Sequence, residues 1–426
     1  MPTVRPFRSL EYSPDRFAEL SAVACPPYDV ITPVLQRELL ERHPRNAVRL
    51  ELSAEPDPHA AAAEALTDWI AEGTLERRAA PSAYLYRHAR PSSPDTPTVQ
   101  GVLAALQLEP FGAGIRAHEH TLAGPKAERL GLLRATRTQL SPILAIYFDP
   151  SPAYDGLLDC PMTDARGARD VDGLLHTFAA LDADERLLDY LGAQQLFVAD
   201  GHHRYETALA YQAEVRADPR WADAEPGSLA ADHVMAVVVN AAREELEVQA
   251  THRLLNEPDD AALRSIVAGT DPIWQATAVP LAQLAARLNE LRDSRQPVFG
   301  LVLGEDESYL LLADPAAADE RMRGTAMSPA VQNLDLAILH TALLDDRLGI
   351  DAKAVAGGGM LAYTRDAADA IRAVARGEAR AAVLVRPTRL EQLAAVASAG
   401  DVMPQKSTYF YPKLLTGLAF YPVEGG

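Results

Sequence analysis

Apolar runs of strand length alternate with Ala- and Leu-rich stretches of helical period along nearly the whole chain, and this alternation restricts the fold more than any other feature. "SPILAIYFD" (141–149), "LFVAD" (196–200) and "VMAVVVNA" (234–241) are short, apolar and bounded by turn residues, so they predict buried strands. "SAYLYRHAR" and "TVQGVLAALQLEP" flank the Pro-rich "PSSPDTP" (91–97), which predicts two strands joined by an exposed hairpin loop. "PVFGLVLGEDESYLLLAD" predicts a second hairpin, turning at Gly304–Glu307. Helical periodicity marks residues 33–42, 58–72, a helix from about Lys126, and 173–192. Further on it marks "PLAQLAARLNELRDS", "NLDLAILHTALLDDRLG", "DAADAIRAVARG" and "RLEQLAAVASAG", with "AAVLVRP" as a strand between the last two. The expected class is α/β or α+β, with mixed sheets flanked by helices.

The length of 426 residues allows two or three domains. Polar, Pro/Gly-containing stretches near 150–170 and 255–275 predict three parts: an N-terminal α/β domain (1–150), a central segment (151–265) and a C-terminal α/β segment (266–426).

Charge narrows the partners. The net charge of −19 repels polyphosphate backbones and anionic membrane surfaces, which argues against nucleic acid and membrane as partners. No window approaches the ~20 apolar residues of a membrane span. The start "MPTVRPFRSLEYSPD" lacks the apolar core of a secretory signal. Cys25 and Cys160 stand far apart without a C-x-x-C, as expected of small buried side chains in a reducing compartment. The expectation is a cytoplasmic protein whose partners are small molecules.

One stretch concentrates chemistry. In "LFVADGHHRYETAL" (196–209) an apolar strand ends at Asp200-Gly201, and Ala208, Tyr211 and Val215 then recur at helical spacing. His202, His203 and Arg204 therefore fall on the first turn of a helix, where unpaired N–H groups and the helix dipole favour an anion. Arg204 offers a planar fork matched to phosphate or carboxylate oxygens. The histidines can donate or move a proton, and Asp200 can bind a divalent cation or orient a histidine. Neighbouring helical residues point ~100° apart, so His202 and His203 are poorly placed to share one metal ion.

Cations and hydroxyls recur in three other clusters. "AHEHTLAGPKAERL" carries His118, Glu119, His120, Thr121, Lys126 and Arg129; "THRLL" carries His252 and Arg253; "MPQKSTYFYPKLLTG" carries Lys406, Ser407, Thr408 and Lys413. In so acidic a chain, these islands predict a pocket for a polyphosphate. No G-x-x-x-x-G-K-[ST] and no G-x-S-x-G occurs, and the G-x-G-x-x-A at 112–117 runs into a polar H-E-H-T instead of an apolar helix.

"CPPYDVI" (25–31), "HEHTLAGPKAERL" (118–130), "SPILAIYFD", "VADGHHRYETAL", "THRLL" and "MPQKSTYFYPKLLTGL" resemble, in order, the signature blocks of the bacterial and archaeal domain-of-unknown-function family numbered 1015. Gln139 stands where that family often carries Asn. Over a shorter stretch, Asp200, Gly201, His202 and Arg204 resemble the D-G-H-x-R box of the ParB/sulfiredoxin-like superfamily, which grips nucleotide phosphates at a strand-to-helix turn and includes free-serine kinases. That resemblance implies a ParB/sulfiredoxin-like nucleotide-binding core and a nucleotide-dependent phosphotransferase acting on the hydroxyl of a small metabolite, with L-serine as first choice. ATP or ADP would be the nucleotide, with Mg²⁺.

The roles follow from residue chemistry. Gly201, Arg204, Lys126, Arg129, His252, Arg253, Lys406, Ser407, Thr408 and Lys413 would bind phosphates. Asp200 would hold Mg²⁺ or orient His202. Glu119 would take the acceptor's proton, with His118 or His203 as substitutes. The acidic N-terminal base of the kinases has no evident counterpart. Two other readings stay open: a phosphatase acting on a phosphomonoester such as phosphoserine, and a non-enzymatic nucleotide-binding switch or adaptor. All three expect the four clusters to converge on the Asp200–Arg204 corner.

Overall fold

The computed structural model describes every residue except 1, 94–96, 120–122, 152–155, 157, 159–161, 163, 164, 182–184 and 424–426. Cys160, His120, Thr121 and the middle of the Pro-rich hairpin loop thus lie outside the described residues. The chain divides into two compact units. The first comprises residues 1–117, 121–246 and 412–426, and the second 118–120 and 247–411. The first unit draws on all three segments expected from composition, because a discontinuous domain leaves no compositional step where the chain crosses between units.

The first unit is built on a nine-stranded mixed sheet. Its order runs Ile115–Arg116, Leu196–Asp200, Ile143–Tyr147, His233–Asn240, Pro97–Gln107, Ala83–Ala89, Leu175–Leu181 and Arg166–Arg169, with Val4–Arg5 also paired to Pro97–Gln107. His233–Asn240 is buried along its whole length, as its β-branched run requires of a central strand. It runs parallel to Ile143–Tyr147 on one side and antiparallel to Pro97–Gln107 on the other. Gln139 works as an extension of this pairing. Its side-chain amide donates to His233 O and accepts from Met235 N, both at 2.7 Å.

Leu196–Asp200 pairs antiparallel with Ile143–Tyr147, and a bulge between Val198 and Asp200 re-aims the end of the strand. Gly201 then turns the chain with φ +90° into the helix His202–Ala217. That helix buries Tyr205 and Ala208 in a core with Ile143, Leu196, Val198 and Val238. The Tyr205 hydroxyl donates to Glu109 O at 2.7 Å, so a large buried ring keeps its polar end satisfied.

Residues 173–192 are not one helix. Leu175–Leu181 is a strand, hydrogen-bonded on both sides by Ala83–Ala89 and Arg166–Arg169, and among the described residues the helix covers Glu185–Gly192. Tertiary pairing overrides the local pattern here. His176 is fully buried between Tyr86 and Asp170, with Nδ1 2.6 Å from the Tyr86 hydroxyl and Nε2 3.2 Å from Asp170 Oδ2.

The second unit holds a six-stranded antiparallel sheet in the order Trp274–Ala278, Glu307–Ala313, Val298–Gly304, Ala381–Leu384, His252–Leu255 and Leu361–Thr364. Helices Leu281–Glu290 and Ala367–Ala375 supply Leu284, Ala370 and Val374 to its core. The amphipathic stretch at 333–349 is α-helical over Asp335–Ile338 and then widens to a π-helical turn, Leu339–Asp345. Within that wider turn the Ala342 carbonyl accepts from Trp274 Nε1 at 3.2 Å. Both units bear out the expected class of mixed sheets with flanking helices. No helix among the described residues is long and apolar enough to cross a membrane.

Candidate functional site

The Asp-Gly corner forms in the first unit as the sequence predicts, and only glycine fits its turn. A Cβ on Gly201 would lie 2.8 Å from Ile143 Cγ2 and 3.0 Å from Arg204 Nε, at a positive φ that side chains with a Cβ rarely adopt. The bulge and turn together set Asp200 beside the first turn of the helix. Arg204 Nη2 donates to Asp200 Oδ2 at 2.7 Å, Arg204 Nη1 donates to the Pro142 carbonyl, and Lys413 Nζ pairs with Asp200 Oδ1. Their side chains are 15% (Asp200), 12% (Arg204) and 10% (Lys413) exposed, so the triad is nearly dry. Burial disfavours the Asp200 carboxylate, but the charges of Lys413 and Arg204 outweigh it and hold the group ionised, well below the usual carboxylate range.

Two further charges join this corner. Arg129, buried on the helix Ala123–Thr136, reaches the Glu51 carbonyl at 3.0 Å and the Glu51 carboxylate at 3.6 Å. Its guanidinium lies 4.3 Å from the centre of the Tyr28 ring, a cation–π contact. Burial pushes the Tyr28 hydroxyl up to about 12, with Asp29 adding to the shift and Arg204 and Arg129 opposing it. Glu51, Arg129 and Arg204 line a cavity of about 50 Å³ with Ser141 and Thr207, room for about four waters. The corner is therefore not a bare positive hollow. Arg204, Lys413 and Arg129 are met by Asp200 and Glu51, and Asp29 acts on Arg204 from nearby. Glu51 and Tyr28 escaped sequence reasoning: Glu51 sits in "RLELS", which matches no motif, and Tyr28 lies in a quoted block whose role composition does not reveal.

The remaining candidates divide between the two units. In the first, Lys126 pairs with Glu206 at 2.7 Å, bracing its helix against His202–Ala217. His202 is buried and its charge acts on Asp200, while His203 is half-buried. In the second unit, His118, Glu119, His252, Arg253, Lys406, Ser407 and Thr408 form a cluster of their own. His118 is fully buried, with Nε2 2.9 Å from Thr408 Oγ1. Glu119 Oε1 accepts from the Lys406 N–H at 2.9 Å. Lys406 holds a left-handed backbone at φ +55°, and its carbonyl accepts from Arg253 at 3.2 Å. The Ser407 hydroxyl donates to Pro404 O at 2.5 Å. Arg253 is fully buried and bonded to carbonyls, so its observed work is to hold this loop. His252 accepts from Val385 N at 3.2 Å, and burial followed by Arg253 lowers its pKa to about 4. At neutral pH it is uncharged and brings no cation to a phosphate.

Asp200 does not fit the Mg²⁺ role expected of it, because cations occupy both of its oxygens. Among the described residues no group of three or more His, Cys, Asp or Glu side chains sits close enough to hold a metal. The orienting role is the one its partners match.

A family model described as "Protein of unknown function (DUF1015)" matches residues 4–337. The chain belongs to the DUF1015 family. The corner, Glu51, Arg129 and Tyr28 fall inside the matched part, while Lys413 and the 403–411 loop follow it. No curated protein matches this DUF1015 chain. Similar solved structures include a free serine kinase in complex with AMP, 12% identical over 70% of this chain and 83% of that one, with a TM-score of 0.37. A conserved hypothetical protein from Pyrococcus furiosus is 12% identical over 71% of this chain and 89% of that one, TM-score 0.36. SbnI from Staphylococcus aureus, with a C-terminal truncation, is 12% identical over 74% and 85%, TM-score 0.36.

Proposed function

We propose that this DUF1015 protein is a nucleotide-dependent phosphotransferase acting on the hydroxyl of a small metabolite, L-serine being the first acceptor to try. The observation that carries the reading is the dry triad: one carboxylate, Asp200, holding Arg204 and Lys413 at a strand-to-helix turn. Phosphoryl transfer asks for positioned positive charge more than covalent help from the protein. Arg204 supplies a planar fork, Lys413 a point charge, and the first turn of the helix N–H groups without intrahelical carbonyl partners. ATP or ADP would place its phosphates against these donors, and Asp200 would keep both side chains oriented while they exchange part of their bonding to the ligand.

For the acceptor's proton, Glu119 remains the candidate from sequence, with His118 or His203 behind it. Glu51 is the carboxylate that the first unit itself offers, because it lines the same cavity as Arg204. Replacing Glu51 and Glu119 by Gln, one at a time, identifies the base by which loss abolishes turnover while nucleotide binding persists. Mg²⁺ would arrive with the nucleotide phosphates.

The test is a product assay. Incubation with ATP or ADP and L-serine should yield a phosphorylated acceptor, with Asp200→Asn and Arg204→Ala inactive. Phosphate released from phosphoserine without nucleotide would favour the hydrolytic reading. Nucleotide binding by calorimetry with no product from any hydroxylated acceptor would favour a switch.

A further inference from the structure

A second cationic site lies wholly within the second unit. Arg292 and Arg295, just after the helix Leu281–Glu290, and Arg389, which precedes the helix Leu390–Ser398, line one cleft of about 430 Å³. At its wall Arg386 is 7% exposed and fully engaged: Nε and Nη2 donate to Asp335 Oδ2 at 2.9 and 2.5 Å, Nη1 to the Leu291 and Ser294 carbonyls, and Nη2 to Gln296 O. The Arg386–Asp335 pair is thus neutral and rigid, and it fixes the segment 291–296 that carries the other two arginines.

The charges left over do not cancel. Arg295 makes no hydrogen bond or ion pair with the described residues, and Arg292 only a 3.8 Å contact with Asp293, both ends exposed. Arg389 makes no ion pair within 4.0 Å with the described residues, though its charge acts on Asp335. Glu391 lines the cleft but pairs with none of the three. Four lining guanidiniums, Arg386 included, against Asp335 and Glu391 leave a formal +2, which Asp293 beside Arg292 lowers to +1, in a molecule whose total is −19. Arg292, Arg295 and Arg389 are exposed and stay protonated, so an anion entering the cleft meets guanidiniums that are covered mainly by solvent. Guanidinium forks match phosphate oxygens in pairs, and the volume exceeds that of a lone phosphate and suits a small ligand.

We propose that this cleft binds a phosphoryl dianion carried on a small molecule, at a site separate from the Asp200 corner. The binding is reversible and makes no covalent bond.

Calorimetry on the full chain tests it with three probes: pyrophosphate, ADP and adenosine. Each is titrated into the wild type, Arg204→Ala, and the double variant Arg295→Ala/Arg389→Ala. Pyrophosphate should bind the Arg204→Ala chain, where the corner is disabled, and the double variant should lose that event or weaken it about tenfold or more. Tighter binding of ADP than of pyrophosphate would place a nucleoside in the cleft, and equal binding would make the inorganic anion sufficient. Adenosine should not bind there. Arg295→Lys/Arg389→Lys keeps the charge and loses the fork, so it should fall between wild type and the Ala pair, and it serves if the Ala pair fails to fold. Pyrophosphate binding that is absent from the Arg204→Ala chain, or unchanged in the double variant, would overturn the assignment. Loss of the corner's activity alone would leave it standing.

Discussion

Lys413 reaches Asp200 across 213 residues of sequence and closes, with Arg204, a nearly dry triad of one anion and two cations. No local motif contains that relationship. Removing the anion is the most damaging change, since it leaves two buried cations without a counter-charge. Asp200→Asn keeps the shape and should cost about 3 kcal/mol or more. Lys413→Met leaves Asp200 paired with Arg204 and should cost less. Urea unfolding of both variants checks the ranking, and equal midpoints would show that the triad is loosely coupled.

Gly201→Ala forces a Cβ against Ile143 at a left-handed backbone position. The expected destabilisation is about 1–3 kcal/mol, accompanied by displacement of Arg204, whose Nε is among the atoms met. Turnover should fall further than stability. A Gly201→Ala chain with a wild-type melting curve and wild-type turnover would contradict the description of the turn.

Arg129 is buried between Glu51, Glu128 and the Tyr28 ring. Arg129→Ala strands the buried Glu51 carboxylate, and a loss on the order of 3 kcal/mol follows. Arg129→Lys restores the charge but not the fork or the stacking, so it should recover part of the loss. Thermal unfolding of the pair decides this, and an Ala variant as stable as wild type would refute it.

Acid should unfold the protein through its histidines before its carboxylates. Burial above all holds His88 and His340 at about 3, and His233 and His252 at about 4. In the unfolded chain each titrates near 6.5. The unfolded state therefore binds more protons between these values, and stability that is complete above about pH 6.5 is lost as pH falls toward 4. Each histidine contributes at most ~1.4 kcal/mol per pH unit in that window. Asp200 acts in a lower one: its pKa is depressed, so its contribution is present above about 4 and is lost only below. Urea midpoints at pH 7.5, 6, 5 and 4 should fall steadily, and a flat profile would show that these rings are protonated in the native state.

Much of the fold was legible because its elements announce themselves locally. The β-branched run at 234–240 could only be an inner strand, and Asp200-Gly201 before a helical period could only be a turn. Leu175–Leu181 was misread because Leu174, Phe178 and Leu181 mimic a helical stripe, and only its two neighbouring strands define it. The same reason explains the site. Asp200 and Arg204, four residues apart on adjoining elements, could be placed in one corner from sequence, although that reading gave Asp200 to Mg²⁺ or His202 and not to Arg204. Glu51 and Tyr28 could not, since what makes them part of the corner is burial beside Arg129 and Arg204, a property of the packed chain. The second cluster was legible as residues but not as roles: His252 reads as a cation until burial discharges it, and Arg253 as a phosphate ligand until its carbonyl partners are known.

The central claim is that phosphates bind at the Asp200–Arg204–Lys413 corner, and titrating ADP by calorimetry into wild type, Arg204→Ala and Lys413→Met tests it most directly. Arg204→Ala and Lys413→Met should each weaken one binding event at least tenfold, the size expected for a lost charge-assisted contact, while circular dichroism stays native. ADP affinity and stoichiometry unchanged in both folded variants would contradict the account.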